Sequence, residues 1–170
     1  MKYFACADIH GFFNEWIKAL DEAGFDINNP NHKCVICGDL FDRGEQPEQI
    51  INFILLHKDS FLIVRGNHED LLEDCMLQLE QGVNISHHHW LNGTLETIAK
   101  LSNTNKFDLV SGVFNYKKIK QSMENYFELI SKAKDFIETN KYIFVHGWIP
   151  INDKTYLYDE NWRNAKPERW

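Results

Sequence analysis

Asp8 and His10, Asp39 and Asp42, Asn67 and His68, and finally His146 are residue types that hold metal ions or phosphate, and they fall in four short clusters along the chain. If the clusters meet in space, Asp8, Asp39 and Asp42 repel one another, and divalent cations are the natural remedy. The donors are carboxylate oxygen, imidazole nitrogen and amide oxygen, with no thiolate. That set suits Mn, Fe or Zn in a reactive centre rather than a structural zinc cluster. Two ions sharing one carboxylate fit the donors present.

The elements that must bring these clusters together are legible as a repeat. Each cluster follows a short apolar run without helical spacing, at residues 2–7, 33–38, 60–65 and 141–145, which reads as a buried strand. Helical spacing follows the first three. Phe13, Trp16, Ile17 and Leu20 form one apolar stripe, with Gly24 placed as its terminator. Ile50, Phe53, Ile54 and His57 form a second, in a helix starting near Pro47. Leu71, Leu72, Cys75, Met76 and Leu79 form a third. Strands alternating with helices predict an α/β fold with a parallel sheet. The carboxyl ends of such strands line one edge, where ligands bind. Gly11, Gly38, Gly44, Gly66 and Gly147 flank the same turns, where backbone bends sharply or approaches a ligand closely.

Between residues 81 and 115 the signal weakens to a polar loop carrying His87, His88 and His89, a turn at Trp90 to Gly93, and a short helix over 94–101. The histidine run reads as solvated loop. Ile119, Met123, Tyr126, Phe127, Ile130, Ala133 and Ile137 predict a long core helix over 115–139, leading into the fourth strand. The chain is thus expected to be a single domain, residues 1–170, with a helical lobe inserted over about 82–139. After Pro150 the sequence turns polar, with Tyr156, Tyr158, Trp162 and Trp170 interspersed and no recognisable closing element.

Composition narrows the function. The 170 residues are 44% hydrophobic and 14% aromatic, enough apolar surface to support a core and to exclude wholesale disorder. Eighteen basic against twenty-five acidic residues leave a net charge of −7, which argues against nucleic-acid binding by phosphate neutralisation. No run approaches the roughly 18 apolar residues of a membrane span, and Asp8 arrives too early for a signal peptide, so a cytoplasmic location is expected. Cys34 and Cys37 are spaced as a redox or zinc pair. Inside a strand, however, positions three apart point to opposite faces, so buried structural thiols are the better reading.

Taken in order, Asp8-Ile9-His10-Gly11, Gly38-Asp39-Leu40-Phe41-Asp42-Arg43-Gly44, Arg65-Gly66-Asn67-His68-Glu69 and His146-Gly147 resemble the blocks of the PPP-type (calcineurin-like) metallophosphoesterases. That family includes bacterial and phage protein serine/threonine phosphatases and the symmetrical diadenosine tetraphosphatases. The resemblance covers residues 8–147, with the second and third blocks its most specific parts. It implies a calcineurin-like sandwich, with a mostly parallel first sheet, flanking helices and an incomplete second sheet. It implies two divalent metal ions, Mn first and Fe or Zn as alternatives. Asp8, His10 and Asp39 would hold one ion, and Asp39 as bridge, Asn67 and His146 the other. The implied nucleophile is a bridging hydroxide, with His68 as general acid oriented by Asp42. Arg43 is implied to grip the nonbridging phosphate oxygens as a planar fork, with Arg65 supporting the same site from the adjoining turn.

Family members continue past the His-Gly block into a second, antiparallel sheet and supply there one more histidine for the second metal. Here no histidine follows His146, so one protein ligand is expected to be lacking, in a chain that reads as truncated. Arg163 is a candidate for a further phosphate-binding arginine that some members carry in this region. A missing sheet leaves apolar surface wet at about 25 cal/mol per Å2, so a homo-oligomer covering that face is expected. The function expected is hydrolysis of phosphomonoesters, on phosphoprotein or small phosphoester substrates, with phosphoserine and phosphothreonine foremost. The alternatives are symmetrical cleavage of dinucleoside polyphosphates and a catalytically weak metal-binding remnant.

Overall fold

The computed structural model describes residues 1–149 and 162–164. Three strands, β1 (Lys2–Cys6), β2 (His32–Cys37) and β3 (Phe61–Val64), form a parallel sheet in the order β1-β2-β3, in register Phe4↔Cys34 and Cys34↔Phe61. Between them run α1 (Phe13–Glu22) and α2 (Pro47–Leu56), and α3 (Asn67–Gln81) follows β3, so the expected α/β alternation is present. β2 is central. Its Cys34, Val35 and Ile36 are all fully buried, which is why that run is apolar on both faces.

The two faces of the sheet have different covers. Cys34, Ile36, Phe61 and Ile63 point into the main core with Trp16, Leu20, Ile50, Ile54, Leu72 and Met76 from the helices. Val35 and Val64 point the other way, onto Ile137, with Cys37, Leu62 and Phe144 around them. Period-two alternation along β2 and β3 thus sorts side chains between helices and a small second layer.

That second layer is a hairpin of β4 (Phe136–Glu138) and β5 (Ile143–Val145), antiparallel and paired Phe136↔Val145. Two sequence expectations are corrected here. The fourth strand does not extend the parallel sheet but turns back on β4. The helix expected over 115–139 is instead α7 (Tyr116–Ser122) and α8 (Glu124–Ile130), followed by β4. Met123, with φ −97° and ψ 10°, sits at the break between the helices. Beyond Ile130 the apolar spacing changes from helical to alternating: Ile137 is buried while Glu138 is exposed. Lys134 joins the chain to the sheet, its amide donating to Ile63 O at 3.0 Å and its carbonyl accepting from Arg65 N at 2.8 Å.

Residues 87–130 form helices only: α4 (His87–Leu91), α5 (Thr94–Ser102), α6 (Lys106–Ser111), α7 and α8. Helix α5 lies at their centre, with Leu95 and Ile98 fully buried against α3 and its neighbours. The solvated loop expected at His87 to His89 is therefore helical, and His89 is fully buried. Residues Tyr156, Tyr158 and Trp170, where no closing element was expected, lie outside the described residues. The described turn Trp162–Asn164 rests Trp162 against Phe136, ring centroids 4.9 Å apart.

Candidate metal centre

The turns after β1 and β2 lie side by side and are laced by backbone hydrogen bonds. Asp8 N donates to Gly38 O at 3.2 Å, His10 N to Asp39 O at 2.9 Å, Gly11 N to Leu40 O at 2.8 Å and Gly44 N to His10 O at 2.7 Å. This lacing forces unusual backbone. Of the five non-glycine residues with positive φ among the described residues, four are Asp8 (53°), His10 (48°), Asp39 (57°) and Arg43 (77°). Each such residue costs about 1–3 kcal/mol, a strain that persists where surrounding contacts impose it and that concentrates at functional sites. Gly38 (φ 78°) admits no side chain: a Cβ there would lie 2.6 Å from both Gly66 Cα and His146 Nδ1.

Asp39 is the meeting point, only 5% exposed. One carboxylate oxygen, Oδ2, lies 3.8 Å from His10 Nε2 and 3.8 Å from His68 Nε2. The other, Oδ1, lies 3.5 Å from His146 Nε2 and accepts the His68 backbone amide at 3.1 Å. That amide is in the first turn of α3, so the helix terminus favours the negative charge on Asp39. Asp8, Asp39 and His146 bring donor atoms within 4.8 Å of one another, as do His10, Asp39 and His68. The structure thus assembles the expected donors around one shared carboxylate, even though His146 arrives from the hairpin and not from the parallel sheet.

The donor chemistry fits divalent cations. His146 Nδ1 lies 2.8 Å from the carbonyl of Cys37, an acceptor only, so Nδ1 carries a hydrogen. In the neutral ring Nε2 is then a lone pair, and it faces Asn67 Oδ1 at 2.8 Å as well as Asp39 Oδ1. Three electron-rich atoms converging this way repel unless positive charge lies among them. A backbone carbonyl fixing the far nitrogen is also how metal-bound histidines are commonly oriented.

His68 is held differently. Its Nδ1 donates to Asp42 Oδ2 at 2.8 Å, and both residues are buried. The guanidinium of Arg43 reaches His10 Nε2 at 2.9 Å and His68 Nε2 at 3.1 Å, which places a planar cation across the mouth of the site. Burial pulls the His68 imidazolium down, but the bond to Asp42 and the charges of Asp39 and Asp42 outweigh it, so its pKa stands above the ordinary histidine value. His10 is shifted the other way by burial, by Arg43 and by His68.

Arg65 is engaged by residues outside this cluster. Its Nε donates to Asp70 at 2.6 Å and its Nη2 to Glu73, so its fork is engaged by α3. Arg163 is likewise engaged, with Nε 3.0 Å and Nη2 2.7 Å from the two carboxylate oxygens of Glu138. Cys34 and Cys37 are free thiols on opposite faces of β2, and burial pushes Cys37 up to about 11, so neither is a reactive or metal-binding pair.

Glu69 and Thr94, which the sequence reading left without a role, support the site, and His89 is held within the helical lobe. Glu69, 1% exposed, accepts from Asp39 N at 3.0 Å, Leu40 N at 2.9 Å and Gly66 N at 2.8 Å, tying the turn after β2 to the turn after β3. Burial raises its pKa, an effect opposed by those three amides. Thr94 donates its hydroxyl to Asp42 at 2.8 Å. His89 Nε2 lies 3.0 Å from Asp74 Oδ2, with the amide nitrogen of Gln78 within 3.2 Å of that histidine and 2.9 Å of the same carboxylate oxygen. The Glu69 signal was present in the sequence, as the last residue of its block. The partners of Thr94 and His89 lie 52 and 15 residues away, with no local pattern to announce them.

Comparison with known proteins gives a consistent picture. A family model described as calcineurin-like phosphoesterase matches residues 1–168. A zinc-dependent endopolyphosphatase of Saccharomyces cerevisiae is 31% identical over 71 residues, 42% of this chain and 22% of that protein. A symmetrical bis(5'-nucleosyl)-tetraphosphatase of Buchnera aphidicola subsp. Baizongia pistaciae is 33% identical over 69 residues, 41% of this chain and 24% of that protein. The matched stretch spans less than a quarter of either relative. A point mutant of a cold-active protein tyrosine phosphatase superposes over 87% of this chain and 42% of its own, at 20% identity and a TM-score of 0.50, a likeness of fold.

Proposed function

The chain belongs to the calcineurin-like phosphoesterase family, and on that premise we propose that it is a binuclear, metal-dependent phosphoesterase acting on phosphomonoesters, with phosphoserine and phosphothreonine as the foremost substrates. The observation that carries this reading is the position of Asp39, one oxygen facing His10 and His68 and the other facing His146. In this reading Asp8, His10 and Asp39 hold one ion, and Asp39, Asn67 and His146 the other, with manganese the first candidate. When bound, such ions polarise phosphoryl oxygens and lower the pKa of water enough to supply a nucleophile near neutral pH.

The chain's own groups supply the rest. Arg43, exposed at the mouth, turns its two nitrogens from the imidazoles to the nonbridging oxygens of the phosphate. That movement frees His68 Nε2 to carry a proton. Asp42 fixes Nδ1–H of the same ring, so Nε2 is the atom that delivers the proton to the departing alkoxide as the P–O bond breaks. Arg65, braced by Asp70 and Glu73, stiffens the turn carrying Asn67 and His68.

A second reading, hydrolysis of phosphoanhydrides, is favoured by the names of the two relatives, one an endopolyphosphatase and the other a symmetrical dinucleoside tetraphosphatase. A panel of phosphopeptides, polyphosphate and dinucleoside tetraphosphate separates the two readings by product. The four free thiols fit a reducing, cytoplasmic setting, and among the described residues no helix is long and apolar enough to cross a membrane. Tyr3 and Tyr142 stay exposed beside Phe144 on the hairpin side of the sheet, and a second copy of the chain seated there is part of the proposal, checked by sedimentation.

The test of the activity is hydrolysis of phenyl phosphate, an ester with a poor leaving group, with added manganese, with chelator, and after His68→Asn. Activity that needs the metal and falls with the substitution supports the reading. Activity indifferent to both refutes it.

A further inference from the structure

Asp42 makes an uneven use of its carboxylate. Both of its bonds fall on one oxygen, Oδ2, which accepts His68 Nδ1 at 2.8 Å and Thr94 Oγ1 at 2.8 Å. The other oxygen, Oδ1, is buried with no hydrogen-bond partner among the described residues. Two donors on a single oxygen restrain the carboxylate more than one donor does, and the network they form with the imidazole acts as a unit. Thr94 itself is fully buried, so its hydroxyl has no solvent to bond and is available to Asp42 at all times.

The approach of Thr94 is built into the helical lobe. Gly93 precedes it with φ 82°, and a Cβ at Gly93 would lie 2.8 Å from the backbone nitrogen of Arg43, so this turn of chain lies directly on the turn that carries Asp42 and Arg43. Further along α5, Lys100 Nζ donates to Gly44 O at 2.9 Å. One helix therefore engages the Asp42 to Gly44 turn at three successive points, through contacts 50 or more residues apart in sequence.

We propose that Thr94 is a positioning residue for the His68–Asp42 pair, and that helix α5 thereby sets how effectively His68 protonates the leaving group. This rests on the reading of His68 as the acid. The group acted on is the departing alkoxide of a poor leaving group. A phosphate ester whose leaving group is already a stable anion does not need that proton.

The experiment compares Thr94→Val, which keeps the shape and removes the hydroxyl, with Thr94→Ser, which restores it, in the full chain saturated with manganese. On phenyl phosphate, Thr94→Val lowers kcat roughly 10-fold, a fraction of the roughly 100-fold to 10,000-fold that general acid catalysis contributes. KM stays near wild type. On dinitrophenyl phosphate the loss is under about twofold, and Thr94→Ser recovers most of the activity on both. An equal loss on the two esters, or a serine variant as poor as valine, overturns the proposal in favour of a merely structural hydroxyl. A second readout is independent of turnover: the downfield proton resonance of His68 Nδ1–H, seen in wild type and Thr94→Ser, shifts upfield or broadens in Thr94→Val. An unchanged resonance overturns the proposal even if the wild-type chain hydrolyses neither ester, whereas that lack of hydrolysis alone counts against the phosphoesterase reading.

Discussion

Glu69 accepts the backbone amide of Asp39 at 3.0 Å, so the shared carboxylate of the site is held in place by a buried acid from a different turn. The same side chain takes Leu40 N and Gly66 N. Glutamine in its place offers one acceptor oxygen where three donors now converge on two, and its own NH2 faces at least one backbone N–H. Glu69→Gln is expected to cost about 1–3 kcal/mol of folding stability through the unpaired buried donor. Urea unfolding of both chains measures it. Loss of manganese affinity should accompany the change, and an unaltered denaturation midpoint would sink the assignment.

His68→Asn removes the acid while leaving every proposed metal ligand in place. The expected outcome is a fall in kcat of about 100-fold to 10,000-fold on unactivated esters, with manganese binding by calorimetry unchanged. If binding collapses together with turnover, His68 serves the metal and not the leaving group.

Gly38→Ala tests how closely the turns are packed. The added methyl meets Gly66 Cα and His146 Nδ1 at 2.6 Å, at a φ of 78° that L-residues rarely adopt. His146 must shift away from Asn67 and Asp39. The variant should lose affinity at one of two manganese equivalents while keeping the other, and isothermal titration distinguishes this from a uniform loss. Equal affinity at both equivalents in the variant and the wild type would show that His146 is not a ligand.

His89 gives the fold a defined response to acid. Burial, with His88 beside it, holds its pKa below the ordinary 6.5, against the opposing pull of Asp74. Below pH 6.5 the unfolded chain binds a proton that the folded chain resists. Unfolding is therefore favoured as pH falls through that value, until the folded-state pKa is also passed. The difference in Tm between wild type and His89→Gln should shrink or reverse on acidification below pH 6.5, since only the wild type carries this titration. A difference that does not vary with pH would contradict it.

Much of this was legible in the sequence because the relevant physics is local. The run ending at Cys37 is apolar on both faces because β2 is buried on both, and the clusters at Asp8, Asp39 and Asn67 follow their strands within a few residues. What escaped is set by tertiary contact. Ala133 and Ile137 continued a helical pattern that packing of Ile137 against Val35 and Val64 overrode, and the hairpin brought His146 to Asn67 from outside the parallel sheet. His89, polar and one of a run of three, was placed in solvent, yet it is buried with its Nε2 against Asp74 and Gln78 on α3. Arg65 sits in a legible block, and its pairing with Asp70 and Glu73 on the helix that follows it is a contact the block did not announce.

The most direct test is anomalous scattering from crystals grown in excess manganese. Two peaks are expected flanking the carboxylate of Asp39, one beside Asp8 and His10 and the other beside Asn67 and His146. Crystals that diffract well and show no peak within ligand distance of Asp39 would contradict the account.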